Sequence, residues 1–120
     1  MNQSPAPGMV KDVTVIADPD DISLYLSNDK KTMVLFEMTA CPYCRMFQGR
    51  LLDFARSRPG EFAFLCVTLD DPSNPLWQKY EIHAVPTVIV FANAQITSRL
   101  DSIVFLGITK KNWHEFCAGL

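Results

Sequence analysis

Two cysteines separated by two residues stand in Thr39-Ala40-Cys41-Pro42-Tyr43-Cys44-Arg45, and this is the stretch whose residue types and spacing carry chemistry most directly. The motif lies between an apolar run, Met33-Val34-Leu35-Phe36, and a segment with apolar residues at helical spacing, Phe47, Leu51, Phe54 and Ala55. This order reads as strand, tight turn and helix. Pro42 has a fixed φ and no amide hydrogen to lose, so it suits the first helical position; Cys41 is then the N-cap and Cys44 lies one turn in. The unpaired N–H groups and positive dipole end of a helix N-terminus stabilise an anion held there. Cys41 is therefore expected to be the nucleophilic, readily ionised thiol, and Cys44 the resolving thiol that breaks a mixed disulfide. A metal-delivery pair and a plain structural disulfide are the alternatives. Structural zinc takes four ligands and usually joins one CxxC to a second knuckle, which this sequence lacks. No metal and no other cofactor is expected.

These residues need a frame to hold them, and 120 residues suffice for one domain with its own core. Apolar residues make up 48% and the formal net charge is −2, with no long run of one sign. That balance excludes an electrostatic nucleic-acid-binding class, and no nucleic-acid partner is expected. No apolar run approaches the ~18 residues of a membrane span. The first ten residues lack a basic start with an apolar block. Residues 1–10, rich in proline and small residues, are expected to form a flexible tail, with 11–120 the folded domain. Four cysteines, two of them apart from the motif, do not form the dense framework of a small secreted domain. A cytoplasmic location is the expectation for the chain as it stands, with the periplasm the alternative if a leader has been removed.

Along the chain, Val13 to Ile16 reads as a β-branched strand, and Asp18-Pro19-Asp20-Asp21 as a helix start leading into Ile22, Tyr25 and Leu26. Thr32 to Met38 reads as a buried strand, since its apolar positions do not alternate with polar ones. The helix after the motif should run to about Ser57, stopped by Pro59-Gly60, with Gly49 marking a bend or a close neighbour. Phe62 to Leu69 is the next strand and Leu76 to Tyr80 a short helix. A strand follows over Val85 to Phe91 with Pro86 at its start, where a missing N–H costs no ladder bond. Asn93-Ala94 suits a hairpin turn, Arg99 to Leu106 a returning antiparallel strand, and Thr109 the cap of a last helix carrying Trp113, Phe116 and Cys117 inward. This alternation predicts an α/β fold, a mixed four- to five-stranded sheet with helices on both faces.

In that order of elements the chain resembles the thioredoxin superfamily from about Val13 to Leu120. Cys41-Pro42-Tyr43-Cys44 has the dipeptide of glutaredoxins, and Tyr80-Glu81-Ile82-His83-Ala84-Val85-Pro86-Thr87 is similar to the thioredoxin segment that ends in the family's cis-proline. The resemblance implies the thioredoxin fold and a thiol–disulfide oxidoreductase that exchanges disulfides with protein substrates. Cys41 and Cys44 would be catalytic, and Pro42, Tyr43, Val85 and Pro86 would contact substrate. The implied partners are protein thiols or disulfides and a reductase or oxidase, with the protein a monomer. A thioredoxin-fold binding or chaperone module without turnover is the other reading.

By the same resemblance Gly49 stands where thioredoxins carry a helix-kinking proline, and Gly107 matches the glycine beside their groove. The interval from Pro86 to Gly107 is a few residues long for the family, which points to an extended hairpin over Asn93 to Ser102. Ala40 replaces the tryptophan before the first cysteine. Leu35 and Cys66 replace the buried aspartate and its lysine, a joint loss that leaves no orphaned charge. Glu37, two residues beyond Leu35, either substitutes for that acid through water or points to solvent. The glycine pair and aspartate of a glutathione site are absent from Val88 to Leu100, which speaks against a glutathione-dependent enzyme. Tyr43 supplies a hydroxyl but no cation, so electrostatics predict a weaker oxidant than a histidine at that position would give. Cys66 reads as a buried inert thiol, His83 as a surface residue or a groove-side one, and Trp77, Trp113 and Cys117 as packing residues. A Cys66–Cys117 bridge would depend on their separation in space.

Overall fold

The structure, a computed structural model, describes residues 13–16, 22–26 and 30–120. The expected tail and the helix start over 18–21 lie outside the described residues. The elements follow the order β1 (Val13–Ile16), α1 (Ile22–Leu26), β2 (Lys31–Glu37), α2 (Pro42–Ser57), β3 (Phe62–Thr68), α3 (Leu76–Lys79), β4 (Thr87–Ala92), β5 (Gln95–Leu100) and α4 (Lys110–Ala118). One sheet has the strand order β1-β3-β2-β4-β5. β1, β3 and β2 run parallel, and β4 and β5 add antiparallel.

The central strands are buried on both faces, which is why β2 and β4 read as apolar runs and not as alternating patterns. Successive side chains point to opposite faces. Met33, Leu35, Cys66, Val88 and Val90 pack with Phe47, Leu51 and Phe54 of α2 and Trp113 of α4. Val34, Phe36, Leu65, Val67, Ile89 and Phe91 pack on the other side with Ile22 and Leu26 of α1, Leu76 of α3, and Tyr80 and Ile82 beyond it. Edge-to-face rings, Phe47 on Trp113 at 4.8 Å and Tyr80 on Phe91 at 5.6 Å between centroids, lock the two layers. The α/β architecture expected from the alternation of elements is the one observed.

The boundaries of α2 follow its punctuation: Pro42 fills the first helical position, and beyond Ser57 the Arg58 N–H closes back on the Phe54 carbonyl at 3.2 Å. Gly49 sits on the exposed side with nothing near its missing Cβ, so no other element passes close to it. α4 is capped as expected, Thr109 Oγ1 accepting from the Asn112 N–H at 3.1 Å.

Three expectations are corrected. Pro86 precedes β4, which begins at Thr87. The returning strand is Gln95–Leu100, not 99–106. Asn93 and Ala94 both hold positive φ, 52° and 65°, and this tight two-residue turn sends the chain straight back, pairing Ala92 with Gln95. The hairpin is therefore short. β5 is followed by the loop 101–107, where Ile103 and Gly107 bridge across a small turn.

Candidate active site

β2 delivers the chain to the motif and α2 carries it away. Cys41 is the N-cap of α2, in extended conformation with φ −138° and ψ 102°. It is disulfide-bonded to Cys44, with the two Cα atoms 5.2 Å apart. The Cys44 N–H donates to Cys41 Sγ at 3.1 Å, so the cap that serine or aspartate oxygen usually supplies is here made by sulfur. Cys44 is fully buried beneath the first turn, while Cys41 keeps a small exposed edge. The pair can pass between disulfide and dithiol, and in the dithiol form the same N–H and helix dipole would stabilise a Cys41 thiolate.

The peptide bond between Val85 and Pro86 is cis. The Val85 carbonyl oxygen lies 3.9 Å from Cys41 Sγ, so the segment before β4 forms one wall beside the sulfur. Two bonds fix that segment: Thr87 Oγ1 donates to the Ala84 carbonyl at 2.7 Å, and Ser102 Oγ donates to the Pro86 carbonyl. Two residues before Cys41, Thr39 is clamped by Asp70, which accepts from its N–H at 2.8 Å and its hydroxyl at 2.5 Å. These two bonds hold the Asp70 carboxyl below its usual range.

Glu37 does not point to solvent. It has the same parity as Met33 and Leu35, faces α2, and is only 6% exposed. Gln48 Nε2 donates to its Oε1 at 2.9 Å. Burial pushes the Glu37 carboxyl up; the Gln48 bond opposes this and the Asp70 charge adds to it. Gln48, four residues after Cys44 on α2, was not singled out from sequence, though its i+4 spacing places it on the helix face that carries Cys44.

Tyr43 does not offer its hydroxyl to the sulfurs. Its Oη donates to the Phe105 carbonyl at 2.5 Å, joining the motif to the 101–107 loop. Gly107, at φ 69°, lies so close that an added Cβ would meet Tyr43 Cβ at 2.9 Å. The glycine is needed both for its backbone angle and for the ring packed on it. Arg50 of α2 secures the far end of the loop, donating to the Ile108 carbonyl at 2.6 Å. Pro42 is exposed beside Tyr43, and His83 is exposed.

The remaining cysteines are not bridged. Cys66 is buried and Cys117 half-buried, and both are free. Burial, with Glu37 adding to it, pushes the Cys66 thiol far up. Burial pushes Cys117 up to about 11, with the Arg58 guanidinium opposing. Among the described residues no three His, Cys, Asp or Glu side chains gather into a set that could hold a metal ion. No described helix is long and apolar enough to cross a membrane.

Solved structures share this frame. A thioredoxin of Malassezia sympodialis (Mala s 13) superposes with a TM-score of 0.71 at 23% identity, over 89% of each chain. Mitochondrial thioredoxin 3 of Saccharomyces cerevisiae, in its oxidised form, gives 0.70 at 18% identity, over 90% of this chain and 95% of that one. Oxidised thioredoxin O2 of Arabidopsis thaliana gives 0.72 at 17% identity, over 91% and 94%. A family model described as a thioredoxin-like domain matches residues 19–104. With the bonded CxxC at the mouth of α2, the wall before β4 and a family match over most of its length, the chain belongs to the thioredoxin-like family.

Proposed function

We propose that this protein is a thiol–disulfide oxidoreductase acting on protein substrates. Cys41 is the attacking group: its thiolate displaces one sulfur of a substrate disulfide, which leaves as a thiolate and takes up a proton. Cys44 then attacks Cys41 in the mixed disulfide, freeing the second substrate sulfur. Two electrons pass to the substrate, and the Cys41–Cys44 disulfide remains for a separate reductase to reduce. Run backwards with an oxidase, the same steps insert disulfides. The observation that carries this reading is the bonded pair at the N-cap, with the Cys44 N–H on the Cys41 sulfur.

Pro42, Tyr43, Val85 and Pro86 are the substrate contacts in this reading. The Val85 carbonyl beside Cys41 suits an extended strand laid along it by backbone hydrogen bonds. The protein acts as a monomer. Insulin reduction with dithiothreitol as donor tests the reading. The wild-type protein accelerates precipitation of the released B chain, and Cys41→Ser abolishes the acceleration. Equal rates for wild type and Cys41→Ser would overturn the assignment, and capture of substrate without turnover would make the protein a binding module instead.

A further inference from the structure

The 101–107 loop presents an apolar surface that the redox step alone does not use. Ile103, Val104, Phe105 and Leu106 are consecutive and all exposed, Phe105 at 85% and Val104 at 65%. No charged residue occurs from Ser102 to Thr109. Met46, 63% exposed, is three residues on from Tyr43 and extends the patch along the same face of α2. Exposed apolar residues are common singly, but a contiguous run beside a reactive site marks an interaction surface.

The loop is held, not loose. Ile103 and Gly107 exchange backbone bonds at 2.9 and 2.8 Å, and Tyr43 Oη holds the Phe105 carbonyl. Ser102 ties the loop to Pro86, the residue after Val85 beside Cys41, and Tyr43 ties it to the motif. Phe105 sits at φ 69°, in the left-handed region that a residue with a side chain rarely adopts. That arrangement orders in advance an apolar surface that water does not favour.

We infer that this loop, with Tyr43 and Met46, docks the apolar flank of the polypeptide whose disulfide Cys41 attacks. The inference rests on the redox reading above and adds its substrate class: chains that expose large apolar side chains within reach of the disulfide, as unfolded or partly folded proteins do. Continuity names the occupant. The loop is bonded to Pro86 of the wall beside Cys41 and to Tyr43 of the motif, so it borders the path of a chain joined to that sulfur. An extended chain advances ~3.3 Å per residue, so side chains three to five residues from the bonded cysteine reach about 10–17 Å from it, and that is the span to probe. A second copy of this chain is a poorer fit. One short loop and part of a helix turn fall below the ~20–30 residues per side of a standard protein interface.

The test uses the reduced full-length protein in single turnover with two synthetic peptides of equal length, each closed by one disulfide. One carries Phe and Leu three to five residues from its cysteines; the other carries Ser and Asn there. Wild type is expected to reduce the apolar peptide about tenfold faster, the scale of one partly buried large side chain. The combined variant Val104→Ser, Phe105→Asn, Leu106→Ser is expected to level the two rates; asparagine is chosen because it tolerates positive φ. Wild type reducing both peptides equally would overturn the docking inference and leave the redox reading standing. Wild type reducing neither, nor hydroxyethyl disulfide, would overturn both. A concentration-dependent dimer in sedimentation, with no peptide preference, would assign the surface to self-association and overturn the inference.

Discussion

The side-chain amide of Gln48 donates to the buried carboxylate of Glu37 at 2.9 Å, four residues along α2 from Cys44. A carboxyl thus lies in the layer between sheet and helix although the family's acid position holds Leu35. Glu37 is raised by burial, so ionising it costs more in the folded than in the unfolded state. Its contribution to stability is full below the unfolded value and is lost as pH rises through the folded one. Glu37→Gln keeps an acceptor for Gln48 and removes the charge. We expect Glu37→Gln to raise Tm by roughly 2–5 °C at pH 7.5, with the gain vanishing near pH 4. Calorimetry across that range checks it, and an equal Tm at both pH values would contradict the burial argument.

Gly107→Ala should be among the costly single substitutions here. The added Cβ would lie 2.9 Å from Tyr43 Cβ, on a backbone at φ 69° that disfavours any side chain. A loss of about 2 kcal/mol or more is expected in urea denaturation. Unchanged stability would show that Tyr43 and the loop can both move aside.

Tyr43→Phe removes the hydroxyl that holds the Phe105 carbonyl and little else. The loop should then open more often, and chymotrypsin should cut after Phe105 several-fold faster than in wild type under native conditions. Equal cleavage rates would mean that the Ile103–Gly107 bridge and Ser102 suffice to hold it.

Three of the four thiols, Cys41, Cys117 and Cys66, lie in environments that predict an order of reactivity. In the reduced, folded protein at pH 8, iodoacetamide should label Cys41 first and Cys117 slowly, and Cys66 only after unfolding. The last two follow from thiols that burial pushes up, Cys117 to about 11 and Cys66 further. Mass spectrometry of timed aliquots gives the order; labelling of Cys66 as fast as Cys117 would contradict its burial.

The legible parts of this chain were those where local chemistry and tertiary packing agree. α2 runs from Pro42 to Ser57 because proline opens it and the Pro59-Gly60 pair stops its continuation, signals that need no partner. β2 and β4 announced two buried faces through unbroken apolar residues. β5 was misplaced because it lies at the sheet edge, where exposed Gln95 and Thr97 and half-buried Arg99 are tolerated, while the apolar 103–106 run that looked like a strand is exposed. Composition favours burying such a run; its placement comes from long-range ties, Tyr43 to the Phe105 carbonyl and Ser102 to the Pro86 carbonyl, which the run itself does not encode. Glu37 could have been placed by its parity with Leu35. Asp70 gripping Thr39 could not, since that bond spans 31 residues and depends on the parallel pairing of β2 with β3.

The central claim is that Cys41 is the sulfur that meets the substrate and Cys44 the one that releases it. Its most direct test is to incubate the reduced Cys44→Ser and Cys41→Ser variants separately with a disulfide-containing protein and map any covalent adduct by mass spectrometry. We predict a persistent mixed disulfide on Cys41 in Cys44→Ser and none in Cys41→Ser. Adducts of equal yield on Cys44 in Cys41→Ser would contradict the account.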